Sequence, residues 1–242
     1  MPELIFIGTG DAFGSGGRRN SAILVRGAEG NLLLDCGPST LVGMKQLGID
    51  PLEIDAVAIS HYHGDHASGL PFLLLDYIYE GRRHKPLQIL GPQGIEERVE
   101  RLNKSCEYGM ERPYEVSFEE FNCESSCRAA GFRLVPYPAR HHPETCPHMI
   151  RVEGDGRALF FSGDTGWHDS LPQTVGDVDL FISEATLFEE TFEFHLSCLR
   201  LLQERSRFRC RRMILTHLGR EVLENQERIG LESAEDGLCL EF

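Results

Sequence analysis

Short apolar runs alternate with charged, helix-patterned stretches along the 242-residue chain. The aliphatic and β-branched runs predict strands over 4–9, 21–26, 31–36, 54–60, 87–90, 114–120, 132–137, 149–153, 158–163, 179–183, 212–216 and 238–242. Helices are expected after Pro38, Asp65, Pro92, His195 and Arg220. Residues 92–105 and 195–206 carry apolar positions at helical spacing with charges between them. Strands and helices interleave without a Pro/Ser-rich linker, so one α/β domain over 1–242 is predicted.

The polar residues that interrupt this pattern fall at recurring places. Asp35 follows "LLL", His61 follows "VAIS", Asp164 follows "LFFSG", Glu184 follows "LFIS" and His217 follows "ILT". Strand C-termini converge at one edge of an α/β sheet, where such folds place their sites. Side chains far apart in sequence are thereby predicted to meet.

Between two such runs stands "SHYHGDHASG". In an extended loop, residues two apart face the same side, so His61 and His63 can grip one ion. Asp65 and His66 come one turn later, at the start of an expected helix, and cannot easily reach that ion. Two adjacent metals resolve the geometry, and Gly64 supports the tight path between the pairs.

The run H-x-H-x-D-H resembles the signature of the metallo-β-lactamase-fold hydrolases. That resemblance implies a four-layer αβ/βα sandwich with a two-metal centre at one edge. Later motifs appear in order: His142 in "ARHHPE", Asp164 in "FSGDTG" and His217 in "ILTHLG". His141 competes with His142, which is preferred for its distance to "MIRVE". The implied ligand set is His61, His63 and His142 on one metal, Asp65, His66 and His217 on the other, and Asp164 bridging. Nitrogen and oxygen donors suit zinc, with manganese and iron also admitted by ligand type. Asp35 in "LLLDCG" resembles the family's early D-x-G motif. It either orients a ligand from behind or shapes the strand exit.

Two further stretches resemble the ribonuclease Z and phosphoribosyl cyclic phosphodiesterase branch. "FHLSCLRLL" is similar to its H-x-S/T motif, with His195 opening a helix as phosphate clamp and proton donor. "FIGTGDAFGSGGRRNSAILV" is similar to its opening strand and glycine-rich loop, where Arg18 or Arg19 would bind a phosphate. No G-K-[ST] follows those glycines, which excludes a P-loop. Ribonuclease Z carries a long tRNA-gripping arm after the histidine motif, whereas "HPETCPHMIRVEGDGRALFFSG" is accounted for by two strands and a turn. The cysteine cluster of the phosphoribosyl cyclic phosphodiesterase has no counterpart in "DAFGSGGRRN".

Charge narrows the partners. With 24 basic and 38 acidic residues the formal charge is −14, which disfavours a nucleic-acid partner. No apolar run is long enough to span a membrane, and "MPELIFIGTG" lacks the basic flank of a signal peptide, so a cytoplasmic location is expected. Eight cysteines are mostly scattered; Cys123 and Cys127 form a single C-x3-C, read as free thiols in a surface loop. A homodimer is compatible with a domain of this size.

The expectation is therefore a dinuclear hydrolase of small or cyclic phosphodiesters, using a hydroxide generated on the metals. Asp65 would orient that hydroxide, and His195, oriented by Glu184, would protonate the leaving group. The rival readings are a thioester or lactam hydrolase on the same metals, ribonuclease Z-like RNA processing, and a non-catalytic metal sensor.

Overall fold

The computed structural model describes residues 2–107, 111–189 and 192–242. The first half of the chain supplies β1 (Glu3–Gly8), β2 (Ala22–Arg26), β3 (Asn31–Leu34), β4 (Ala56–Ala58), β5 (Leu87–Gly91) and β6 (Val116–Glu120). The second half supplies β7 (Cys127–Ala129), β8 (Phe132–Pro138), β9 (His148–Gly154), β10 (Arg157–Phe161), β11 (Val178–Glu184), β12 (Cys210–Thr216) and β13 (Glu232–Ser233). A last strand, β14 (Cys239–Glu241), returns to pair with β1. Two seven-stranded sheets result, in the orders β14-β1-β2-β3-β4-β5-β6 and β13-β12-β11-β10-β9-β8-β7.

Each sheet changes from antiparallel to parallel partway across. Strands β1 to β3 are antiparallel neighbours, and β3 to β6 are parallel. Likewise β7 to β10 are antiparallel and β10 to β13 parallel. Parallel strands need helical crossovers, which cover the outer faces. These are α1 (Thr40–Gln46), α2 (Gly64–Ala67), α3 (Leu70–Tyr79), α4 (Ile95–Ser105), α5 (Leu171–Val175), α6 (Cys198–Gln203) and α7 (Arg220–Glu224).

Strand alternation divides the core into three. Leu4 and Phe6 of β1 point between the sheets, where they meet Leu159, Phe161, Ile182 and Ile214. Ile5 and Ile7 point outward, into a layer with Met44, Leu73, Leu74 and Val99 of α1, α3 and α4. On the other flank Phe160, Phe181 and Leu215 pack under Leu171, Leu201 and Val222 of α5, α6 and α7. Both faces of both sheets are buried, giving the four-layer αβ/βα sandwich.

All twelve expected strands form, with ends shifted by a few residues. The short β7, β13 and α5 carry too few apolar positions to show a period, and were not anticipated. Cys127 lies on β7 and is buried rather than in a surface loop, while Cys123 is exposed; both are free thiols. The helix expected at His195 begins only at Cys198, so a connecting segment and not a helix terminus places that ring. No helix among the described residues is long and apolar enough to cross a membrane.

Candidate metal centre

The parallel strands of the two sheets end at one edge, and the polar residues that follow them meet there. Asp35 follows β3, His61 follows β4, Asp164 follows β10, Glu184 closes β11 and His217 follows β12. The turn off the strand is sharp at two of these points: Asp35 has φ 60° and His217 φ 54°. Such left-handed backbone at residues other than glycine is uncommon and concentrates at functional sites. Gly163 (φ +51°) serves the same turn before Asp164, where a Cβ would sit 2.9 Å from the Ser60 side chain.

Three overlapping groups of donor atoms result. His61, His63, His141 and Asp164 form the first, and Asp65, His66 and His217 the second; Asp164 and His217 also gather with His195 in a third. In the first, His63 Nδ1 lies 3.2 Å from His61 Nε2 and 3.0 Å from His141 Nε2. In the second, His66 Nε2 and His217 Nε2 are 3.3 Å apart, and each is 3.2 Å from Asp65 Oδ2. Asp164 faces both with different oxygens. Its Oδ2 is 3.7 Å from His61 Nε2 and 3.8 Å from His141 Nε2, while Oδ1 is 3.4 Å from His66 Nε2 and 3.6 Å from His217 Nε2.

The outer ring nitrogens are tied down from behind. His66 Nδ1 donates to Asp35 Oδ2 at 2.7 Å, and Asp35 also accepts from the Ser60 amide at 2.7 Å and its hydroxyl at 3.0 Å. That hydroxyl lies 3.0 Å from His61 Nδ1. His141 Nδ1 donates to the Phe194 carbonyl at 2.8 Å. Thr186 Oγ1 donates to Glu184 Oε2 at 2.8 Å and sits 2.8 Å from His217 Nδ1. With Nδ1 occupied, four imidazoles present Nε2 to the first two groups, the arrangement that metal-binding histidines adopt.

The residues present fit divalent cations. Asp164 is 3% exposed, and its buried Oδ1 has no hydrogen-bond partner among the described residues. A buried carboxylate oxygen left without a donor is costly unless a cation meets it. Burial opposes the charged form of His66, yet Asp164, Asp65 and Asp35 override it and hold the ring's pKa well above its ordinary value. Nitrogen and oxygen donors of this kind suit a divalent metal.

The structure separates the two adjacent histidines. His141 is buried and belongs to the first group, whereas His142, the residue preferred from spacing, has a side chain 38% exposed and lies 3.6 Å from Glu144. His142 lines the cavity beside the metal groups without belonging to either of them. Arg18 and Arg19 also depart from expectation, since neither lines that cavity. Arg18 donates to Thr9 Oγ1 and the Ala234 carbonyl, and Arg19 to the Ile7 carbonyl and Gln46. Both brace the glycine-rich loop from outside. That loop nevertheless reaches the site through Asp11, Ala12 and Phe13, the last 88% exposed at the cavity mouth. Asp11 shapes it by accepting from the Phe13 and Ser15 amides at 3.1 and 3.0 Å.

His195 and Glu184 come together as expected. His195 Nδ1 donates to the buried Glu184 carboxylate, at 3.0 and 3.1 Å from its two oxygens. Burial disfavours the charged ring, but Glu184 outweighs it and pushes the pKa up to about 9. The His195 ring stacks on His217 at 6.0 Å and lines the same cavity as both metal groups. Ser60 and Thr186 were not anticipated. Their signal was positional only: Ser60 precedes a cluster histidine, and Thr186 follows Glu184 by two.

Histidine and aspartate donors gathered at one edge of a four-layer αβ/βα sandwich are the arrangement of the metallo-β-lactamase fold. Solved structures share the architecture. YhfI of Bacillus subtilis, a metallo-β-lactamase fold protein, superposes with a TM-score of 0.82 at 21% identity, covering 100% of this chain and 99% of that one. The short form of human tRNase Z gives 0.79 at 23% identity, covering 99% and 98%. The ribonuclease Z of Lachnoclostridium phytofermentans is 30% identical over 160 residues, which is 66% of this chain. The chain spans about half of that relative, 51% of its length. The chain is thus similar in fold to both structures and, over that stretch, in sequence to the ribonuclease Z. More narrowly, the chain belongs to the family described as anti-Pycsar protein Apyc1, which matches residues 2–234.

Proposed function

We propose that the chain is a phosphodiesterase acting on small or cyclic phosphodiesters, with residues 1–242 as one catalytic domain. The observation that carries this reading is His195, held by Glu184 and facing the same cavity as both metal groups. Metal would be held by His61, His63 and His141 on one side and by Asp65, His66 and His217 on the other, with Asp164 shared. Bound divalent cations would supply Lewis acidity, neutralising phosphoryl charge and bringing the pKa of a water down to about 7.

The protein's own groups arrange the rest. Asp65 faces the cavity, where it can orient the attacking water. The water oxygen bonds to phosphorus, and the ester P–O bond opposite breaks with its electron pair left on the leaving oxygen. His195 gives its proton to that oxygen while Glu184 steadies the ring, and the proton released by water replaces the one given. Asp35, Ser60, Thr186 and the Phe194 carbonyl hold the imidazoles through these events.

Substrate size is supported by space and charge. The cavity is about 230 Å³. The interval between His142 and Asp164 is filled by a turn, β9, the two residues 155–156 and β10, leaving no arm to grip a tRNA. The −14 charge also opposes a polyanion. A ribonuclease Z-like action on RNA is the second reading, favoured by the relatives of that name. The anti-Pycsar role in the family's description comes to this chain as part of the same proposal.

Hydrolysis of bis(p-nitrophenyl) phosphate, with metal counted in the same sample, tests the reading. Turnover at about two metals per chain, lost in His195→Ala without loss of metal, is the expected result. Full metal occupancy with no turnover of the ester, or cleavage of a thioester instead, would contradict it.

A further inference from the structure

His195 lines two cavities. Besides the one over the metal groups it borders a larger space of about 400 Å³, lined also by Arg140, Trp167, Phe192, Ser197 and Arg200. Phe192 is 50% exposed and lies nearly parallel to the His195 ring, at 6.1 Å and 21°. Trp167, the chain's single tryptophan, is fixed on several sides. The Arg200 guanidinium lies 4.7 Å from its ring centroid, Nε1 donates to Asp169 at 3.2 Å, and Arg140 donates to its carbonyl at 3.0 Å.

Charge is not what this cavity offers. Arg140 lies 3.8 Å from Glu193, and Arg200 lies 3.1 Å from Glu204, so each guanidinium already faces a carboxylate. What remains is the Phe192 ring and the part of Trp167 that lines the cavity, with Arg200 and Arg207 lying over the Trp167 ring. The buried Nε of Arg200 has no hydrogen-bond partner among the described residues. That combination suits a planar aromatic group with acceptor atoms on its edge, rather than a second phosphate.

Direction follows from the in-line requirement. If His195 protonates the leaving oxygen, the group carried on that oxygen extends past His195, into this cavity and away from the attacking water. We propose that the Trp167–Phe192 cavity is the subsite for the leaving group, and that it selects phosphodiesters whose leaving alcohol or phenol carries a planar aromatic group. The direction rests on the phosphodiesterase reading; the preference for an aromatic occupant rests on the cavity alone.

Because Trp167 is the only tryptophan, its fluorescence reports on this cavity without turnover. Titrating the metal-loaded protein with p-nitrophenol should quench the emission saturably, and Phe192→Ala should weaken that binding on the order of 10-fold, within the range for lost aromatic stacking. Quenching that never saturates, or an affinity indifferent to Phe192→Ala, would overturn the subsite. Kinetics then test the direction. Phe192→Ala should lower kcat/KM on the order of 10-fold for both bis(p-nitrophenyl) phosphate and ethyl p-nitrophenyl phosphate, which share a leaving group. A loss confined to the bis-ester would place the cavity on the retained side and overturn the assignment. Saturable quenching with no turnover of either ester would contradict the phosphodiesterase reading and the direction drawn from it, while the aromatic preference stood.

Discussion

The two ends of strands β10, β11 and β12 both carry ionisable side chains and put them to opposite use. At their C-terminal ends Asp164, Glu184 and His217 are all buried, with carboxylates and imidazoles crowded within a few ångströms. At their N-terminal ends Arg157 and Arg211 reach Asp179 at 2.8 and 3.3 Å, and Arg212 pairs with Glu232, all at the surface or only partly covered. Exposed ion pairs are worth about 0–1 kcal/mol each, because water screens them and their side chains must be ordered. Buried charges, in contrast, are tolerated only when something compensates them. One end is thus surface decoration on the sandwich, and the other is chemistry that the sandwich has to hold in place.

This contrast can be broken one residue at a time. The largest effect is expected from His141→Ala, which should lose metal and turnover together. His142→Ala, one residue along, should keep its metal content; counting metal in both variants distinguishes them. His195→Ala should retain metal and lose on the order of 10²–10⁴-fold in kcat, as removal of a general acid does. Next comes Asp35→Asn, which keeps the shape but weakens the support behind His66. It should cost on the order of 10–100-fold in metal affinity or activity, read from a chelator competition. The smallest effect belongs to the opposite end: Arg212→Ala should change unfolding free energy by no more than about 1 kcal/mol in a urea titration and leave metal content untouched.

The legible parts of the molecule are those set by local pattern. The strands announce themselves by apolar runs, and "HYHGDH" places four site residues within six positions because a loop and one helical turn bring them together. Asp164, Glu184 and His217 are distant in sequence yet share one place relative to their strands, so topology carries them in. What stays hidden depends on contacts from far along the chain. His141 and His142 are adjacent, and neighbouring residues on extended backbone face opposite ways. Which one turns inward is tied to the Phe194 carbonyl, 53 positions on. Arg18 and Arg19 look like free cations beside glycines, but the C-terminal segment engages both, through the Ala234 carbonyl and Asp236. The displaced start of α6, which leaves His195 in a connecting segment, has the same origin: tertiary contacts outweigh a helical pattern of modest length.

His61, His63, His141, Asp65, His66, His217 and Asp164 are proposed to hold two cations that hydrolysis requires. The most direct test is to strip the protein with a chelator, return zinc in measured equivalents, and follow bis(p-nitrophenyl) phosphate turnover at each addition. Activity should rise and level off at about two equivalents per chain. Activity that survives stripping, or that levels off with a single equivalent bound, would contradict it.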